Sequence, residues 1–177
     1  MNEQDFWRIV DSTRGQPDRA EVLAQGLAQL ADEEIVQFRI LYDDMIHQAN
    51  KFDLWGAAYL INGGCTEDEF YLFREGLLEL GQKVFDEAVA DADSLAKIAK
   101  VGRRLEGTEG LGNAAGMAWV AKRGTSEEEF FEEVDRADPD TVRDDADEGE
   151  WWDFKKAEEA NHRLPRLAER FLKYEAE

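Results

Sequence analysis

The sequence predicts an all-α fold, and three observations carry that prediction. The chain has only three prolines in 177 residues. Most segments place apolar residues three and four apart, the period of a helix with one buried face. Hydroxyl or acidic start signals and glycine stops recur between those segments. Together they predict a compact multi-helix domain over residues 1–177, with helix-turn-helix corners and a C-terminal docking helix.

The first helix is expected over Gln4–Thr13, with Phe6, Trp7, Ile9 and Val10 on one side and Gly15 as its stop. Pro17 suits the first turn of a second helix whose inner face is Val22, Leu23, Leu27 and Leu30. Asp32 is the expected N-cap of the third, where Ile35, Phe38, Tyr42, Met45 and Ala49 form a stripe and His47 lies off it. A short, mostly buried helix follows over Leu54–Ile61, capped by Asp53 and ended by Asn62-Gly63-Gly64. Thr66-Glu67-Asp68-Glu69 has capping-box spacing, a hydroxyl at the cap and a Glu three residues on. The helix it opens continues through Phe70, Phe73, Leu77, Leu80, Val84 and Ala88, with a break expected near Gly81. Ser94 is the expected cap of a further helix through Val101.

Residues 102–116 hold five glycines and predict a flexible connection between the helical segments 1–101 and 117–177. A phosphate-cradling loop is disfavoured there, since neither a preceding strand nor a Gly-Lys-Ser/Thr ending is present. A short helix is expected over Ala114–Lys122. The run Ala58–Phe70 repeats in character at Ala118–Phe130, each going from an aromatic helix through glycine to a hydroxyl cap, three acids and Phe. Two related corners, a degenerate duplication and chance convergence of cap chemistry all account for this. The stretch 127–153 carries 14 acids against Arg136 and Arg143, hence twelve of the chain's twenty net negative charges. The last helix is locally basic, with Leu164, Leu167, Ala168, Phe171 and Tyr174 facing the body and Pro165 kinking or restarting it. Trp151 and Trp152 are expected to anchor its beginning.

A formal charge of −20 argues against direct binding to nucleic acid or to an anionic membrane surface. The longest apolar run, Leu54–Ile61, is far too short to span a bilayer, and one cysteine forms no internal disulfide. With no leader pattern at Met1, a cytoplasmic location is expected.

No catalytic, metal-binding or cofactor motif is present, so none is expected. The rival expectation is a small-molecule-binding protein or enzyme with a pocket at the Gly63-Gly64 corner, formed by Trp55, Tyr59, Asn62, Cys65, Asp68 and Arg74. Each member also has a plain reading. Cys65 precedes a helix, where a thiolate is favoured, or is a packed small residue. Asp68 sits where any helix prefers an acid, and Arg74 suits an ion pair. The acidic run lacks calcium-loop spacing, because Gly149 stands where a third ligand belongs. The leading expectation is therefore a non-enzymatic interaction or regulatory domain. Its acidic face, represented by Glu132, Glu133, Asp144 and Asp145, would meet a basic protein partner. A third possibility is an acidic antagonist of a nucleic-acid-binding protein.

LWGAAYLINGG (54–64), FYLFREGLLELGQKVFDEAVADADSL (70–95), FWRIV (6–10) and EEIVQF (33–38) resemble a family of small bacterial proteins catalogued as domain of unknown function 4240. The resemblance covers the first 95 residues or so, and AWVAKRG (118–124) and LPRL (164–167) extend it loosely. Where that family usually shows Ser-Asp-Asp-Gly this chain has Thr66-Glu67-Asp68-Glu69, and only Asp68 keeps its place. The resemblance implies a helical cytosolic bacterial domain and transfers no catalytic residue.

Overall fold

In the computed structural model, residues 1–107, 110–139 and 148–172 are described, and they form ten α-helices and one 3-10 helix. Among them the only β pairing is an isolated parallel bridge between Lys51 and Glu148. The chain divides into two compact units, Met1–His47 with Thr108–Asp144 and Gln48–Gly107 with Asp145–Glu177.

In the first unit, α1 (Glu3–Ser12) is opened by a reciprocal capping box between Asn2 and Asp5, and it buries Phe6, Trp7 and Val10. Phe6 meets Phe38 of α3 (Asp32–Gln48) at 4.9 Å between ring centroids. The whole expected stripe of α3 through Ala49 is buried. Pro17 lies outside α2 (Arg19–Leu27), because Asp18 ahead of it takes a left-handed conformation. Arg19 instead secures the entry to α2, donating to the Thr13 hydroxyl at 3.0 Å and the Val10 carbonyl at 2.9 Å. Of the expected inner face Leu23 and Leu27 are buried, together with Ala24, while Leu30 is half-buried and Val22 is exposed. α7 (Ala114–Arg123) packs on α2 and on α8 (Glu127–Ala137), with Phe130 and Val134 as the buried side of α8.

The second unit is built around α4 (Phe52–Asn62), which buries Leu54, Gly56, Ala57, Ala58, Leu60 and Ile61. Small side chains let the 3-10 helix Ala92–Lys97 and α10 (Pro165–Phe171) approach it. Lys51, not Asp53, is the N-cap of α4. Asp53 lies in the first turn, where its carboxylate accepts a hydrogen bond from the Trp152 indole at 3.0 Å. α5 (Glu67–Glu79) starts at the expected capping box and gives way at Gly81, whose φ of 90° disfavours a side chain, to α6 (Gln82–Ala90). Ser94 is inside the 3-10 helix rather than at its start, since Asp91 accepts the Asp93 N–H and takes the capping role. After α9 (Ala157–Arg163), Pro165 restarts the chain as α10. Of the expected anchors, Trp152 is buried and Trp151 is 64% exposed. Tyr174 lies outside the described residues.

The glycine-rich connection departs most from expectation. Residues 104–107 are bound to α4 and α5 instead of running free. Asn62 pairs with the Leu105 backbone on both sides, accepting at 2.8 Å and donating at 3.2 Å. The Gly107 N–H donates to the Leu72 carbonyl at 2.7 Å. Gly76 is the reason the two segments come so close: a Cβ there would lie 2.8 Å from the Glu106 backbone. Gly116, counted at the end of the connection, is helical.

Candidate functional site

At the Gly63-Gly64 corner the left-handed Gly63 (φ 72°) stops α4, and Thr66 opens α5. The Thr66 hydroxyl accepts the Glu69 N–H at 3.3 Å while the Glu69 carboxylate accepts the Thr66 N–H at 2.8 Å. The bonds the Glu69 carboxylate accepts lower its pKa, the Thr66 N–H first, then the Arg104 guanidinium at 2.7 Å and the Thr66 hydroxyl at 3.1 Å. Trp55 spans the corner: its indole donates to the Cys65 carbonyl at 3.2 Å, and its ring stacks on Phe70 at 5.0 Å. Trp55 and Tyr59 both meet Phe154, at 5.9 and 6.2 Å. The Arg74 guanidinium lies over Phe70 at 4.9 Å. Trp55, Tyr59 and Arg74 thus share one half-buried aromatic cluster. Asn62 is turned to the 104–107 segment, and Asp68 is exposed in the first turn of α5.

Burial, and next the Glu69 charge, push the Cys65 thiol up to about 12. The neutral thiol therefore dominates at physiological pH, and the helix N-terminus does not make it a nucleophile. Iodoacetamide should alkylate native Cys65 far more slowly than the denatured chain at about pH 8. Equal rates, followed by intact mass, would show an activated or freely ionising thiol.

The second corner, in the other unit, repeats this construction. Gly124 (φ 67°) stops α7, the Ser126 hydroxyl caps α8 by accepting the Glu129 N–H, and the Trp119 indole donates to the Thr125 hydroxyl at 3.1 Å. Trp119 lies 5.6 Å from Phe130, as Trp55 lies against Phe70. The sequence register equates Trp119 with Tyr59, whereas the residue with the same contacts is Trp55, one turn earlier. A tryptophan in the first helix and a phenylalanine four residues after the cap were the available signal.

On α8, Glu127, Glu128, Glu132 and Asp135 are exposed and make no ion pair or hydrogen bond among the described residues. Glu133 is half-buried and accepts from Arg136 at 2.6 Å. Asp144 and Asp145 lie outside the described residues. Beside Glu133 is a cleft of about 370 Å3 between α3, α7 and α8. Its α3 wall begins at Asp32, which binds Lys122 at 2.8 Å and Arg123 at 2.6 Å. These contacts, Lys122 first, lower the Asp32 pKa below its ordinary 3.8. A lowered carboxylate pKa contributes stability above the unfolded value and loses it as pH falls through the folded value. Asp32→Asn should consequently destabilise the protein at about pH 7 and by less at about pH 3, where the pH has fallen below the unfolded value. Urea melts at the two pH values test this, and an equal loss at both would assign the effect to packing. Along the sequence Asp32 reads as a cap alone, because Lys122 and Arg123 are some ninety positions away.

A further cleft of about 350 Å3, in the second unit, has Lys51, Asp91, Glu148 and Arg163 in its walls. Its two cations are paired: Arg163 with Glu150 at 3.0 Å, Lys51 with Glu148 at 3.5 Å. Among the described residues no group of three or more His, Cys, Asp or Glu is placed to hold a metal ion, and no helix is long and apolar enough to cross a membrane.

The family model described as Protein of unknown function (DUF4240) matches residues 1–135. The chain belongs to this family. The DUF4240 match runs beyond the 95 residues that resemble the family most closely and takes in α7 and most of α8, so it includes both tryptophan-braced corners. α9 and α10 lie outside it. No curated protein matches the chain, and no solved structure does. The family carries no established activity, and the function of the chain is unknown.

Proposed function

We propose that this DUF4240 protein is a non-enzymatic, cytoplasmic interaction domain that binds a basic protein segment through the outer face of α8. The observation that carries this reading is where the α8 carboxylates fall. Glu127, Glu128 and Glu129 occupy the first turn, where the helix dipole accounts for acids. Glu132, Glu133 and Asp135 lie beyond that turn, so the dipole does not account for them. They also place like charges four apart, at Glu128–Glu132 and Glu129–Glu133, each opposing the helix by about 0.2–0.5 kcal/mol. A cationic partner relieves that repulsion on binding. Phe131, 40% exposed beside the acids, supplies an apolar contact on the same helix.

The test is capture from lysate of the native host with wild type and with the E132Q/E133Q/D144N/D145N variant, each eluted by rising salt. A partner retained by wild type, released by salt and lost by the variant is expected. Retention of the same proteins by both forms would remove the acidic face from the interaction. The variant relieves repulsion and should fold at least as well as wild type.

A further inference from the structure

We propose that the cleft between α3, α7 and α8 is the anchor point of this interaction and receives one arginine side chain of the partner. This rests on the reading above and adds a specific subsite to it. The cleft, about 370 Å3, has room for one long side chain, and its apolar wall consists of Val36, Trp119 and Ala137. Such a wall suits the methylene stem of a basic residue, while the carboxylates of Glu33 and Glu133 take its charged end. Glu33 is exposed and makes no ion pair or hydrogen bond among the described residues.

The protein's own guanidinium groups display the chemistry the cleft accepts. Arg123 lies over the Trp119 ring at 5.2 Å while it binds Asp32. Arg136 donates to Glu133 from the solvent side, with its side chain 66% exposed. An exposed pair of this kind contributes little, so an incoming guanidinium exchanges with Arg136 readily. Asp32 is already neutralised by Lys122 and Arg123, which leaves Glu33 and Glu133 as the attracting pair. Two carboxylates beside an apolar wall favour a planar, five-donor guanidinium over a compact ammonium.

Titration of the full chain with a hexa-arginine peptide at low salt, followed by the Trp119 indole N–H resonance and by calorimetry, tests the assignment. Ala137→Trp fills the cleft from its exposed edge without altering charge, and E33Q/E133Q removes the carboxylates. Each should weaken binding by about tenfold or more, as loss of an anchor does, whereas E127Q/E128Q/E132Q should cost only a few-fold. The Trp119 resonance should shift in wild type and not in Ala137→Trp. If Ala137→Trp and E33Q/E133Q bind like wild type while E127Q/E128Q/E132Q does not, the cleft is not the anchor, though the acidic face still binds. Equal affinity for hexalysine would overturn the preference for arginine. Failure of wild type to bind either peptide would overturn both proposals.

Discussion

Replacing Asp93 with alanine is expected to lower the unfolding free energy of this protein by about 3 kcal/mol, from two lost caps on backbone donors, one of them buried. α10 begins with Pro165, which has no N–H, and its N-cap Leu164 has no side-chain acceptor. The next two N–H groups, of Arg166 and Leu167, donate to the Asp93 carboxylate at 3.0 and 2.8 Å. The Arg166 side chain adds a third bond at 2.8 Å. Asp93 is only 3% exposed, so water cannot readily replace it once it is gone. The loss should spread to the docking of Leu167, Ala168 and Phe171, all buried. Asp93→Asn keeps an acceptor oxygen and should recover some of the loss. Urea denaturation with hydrogen exchange at Leu167 measures both. A change below about 1 kcal/mol in Asp93→Ala would mean that packing alone holds α10.

Gly56→Ala should cost about 2–4 kcal/mol, although alanine is the better helix former by about 1 kcal/mol. The added Cβ would stand 2.1 Å from Cζ2 and 2.6 Å from Cη2 of Trp152, so the indole must move. Trp152 is 2% exposed, is bonded to Asp53 and meets Phe154 edge-on at 4.8 Å. Displacing it breaks contacts that the rest of the unit cannot quickly remake. The sign should reverse when the obstacle is absent. In a Trp152→Ala background, Gly56→Ala should be neutral or stabilising, which is a strong non-additivity. Equal losses in both backgrounds would show that the cost arises within α4 and not at the Trp152 contact.

These two residues also mark the limit of what the chain discloses when read along its length. The Thr66–Glu69 capping box, the α3 stripe, the stop at Gly63 and the break at Gly81 were all legible, and the structure has each of them. Their causes act within about one helical turn, so the residues that decide them are neighbours in sequence. The family could be read from the same local runs, and its match confirms it over 1–135.

Other features depended on partners far away in the chain. Asp53 looked like a cap until Trp152 was placed beside it, and Asp93 had no evident task until α10 began on its carboxylate. Gly76 is the opening through which residues 106–107 approach α5, and nothing near it in the sequence announces that. The candidate site divides in the same way. The acidity of α8 could be counted from composition. That Glu33, Trp119, Glu133 and Ala137 share one cleft follows from how α3, α7 and α8 pack. The sequence by itself determined most of the helices, the ends set by the Thr66 cap and the Gly63 and Gly81 breaks, and the placement of charge, because these obey short-range rules. Tertiary structure decided which buried polar groups satisfy one another and which glycines must remain glycine, because those depend on segments brought together only by burial of the core.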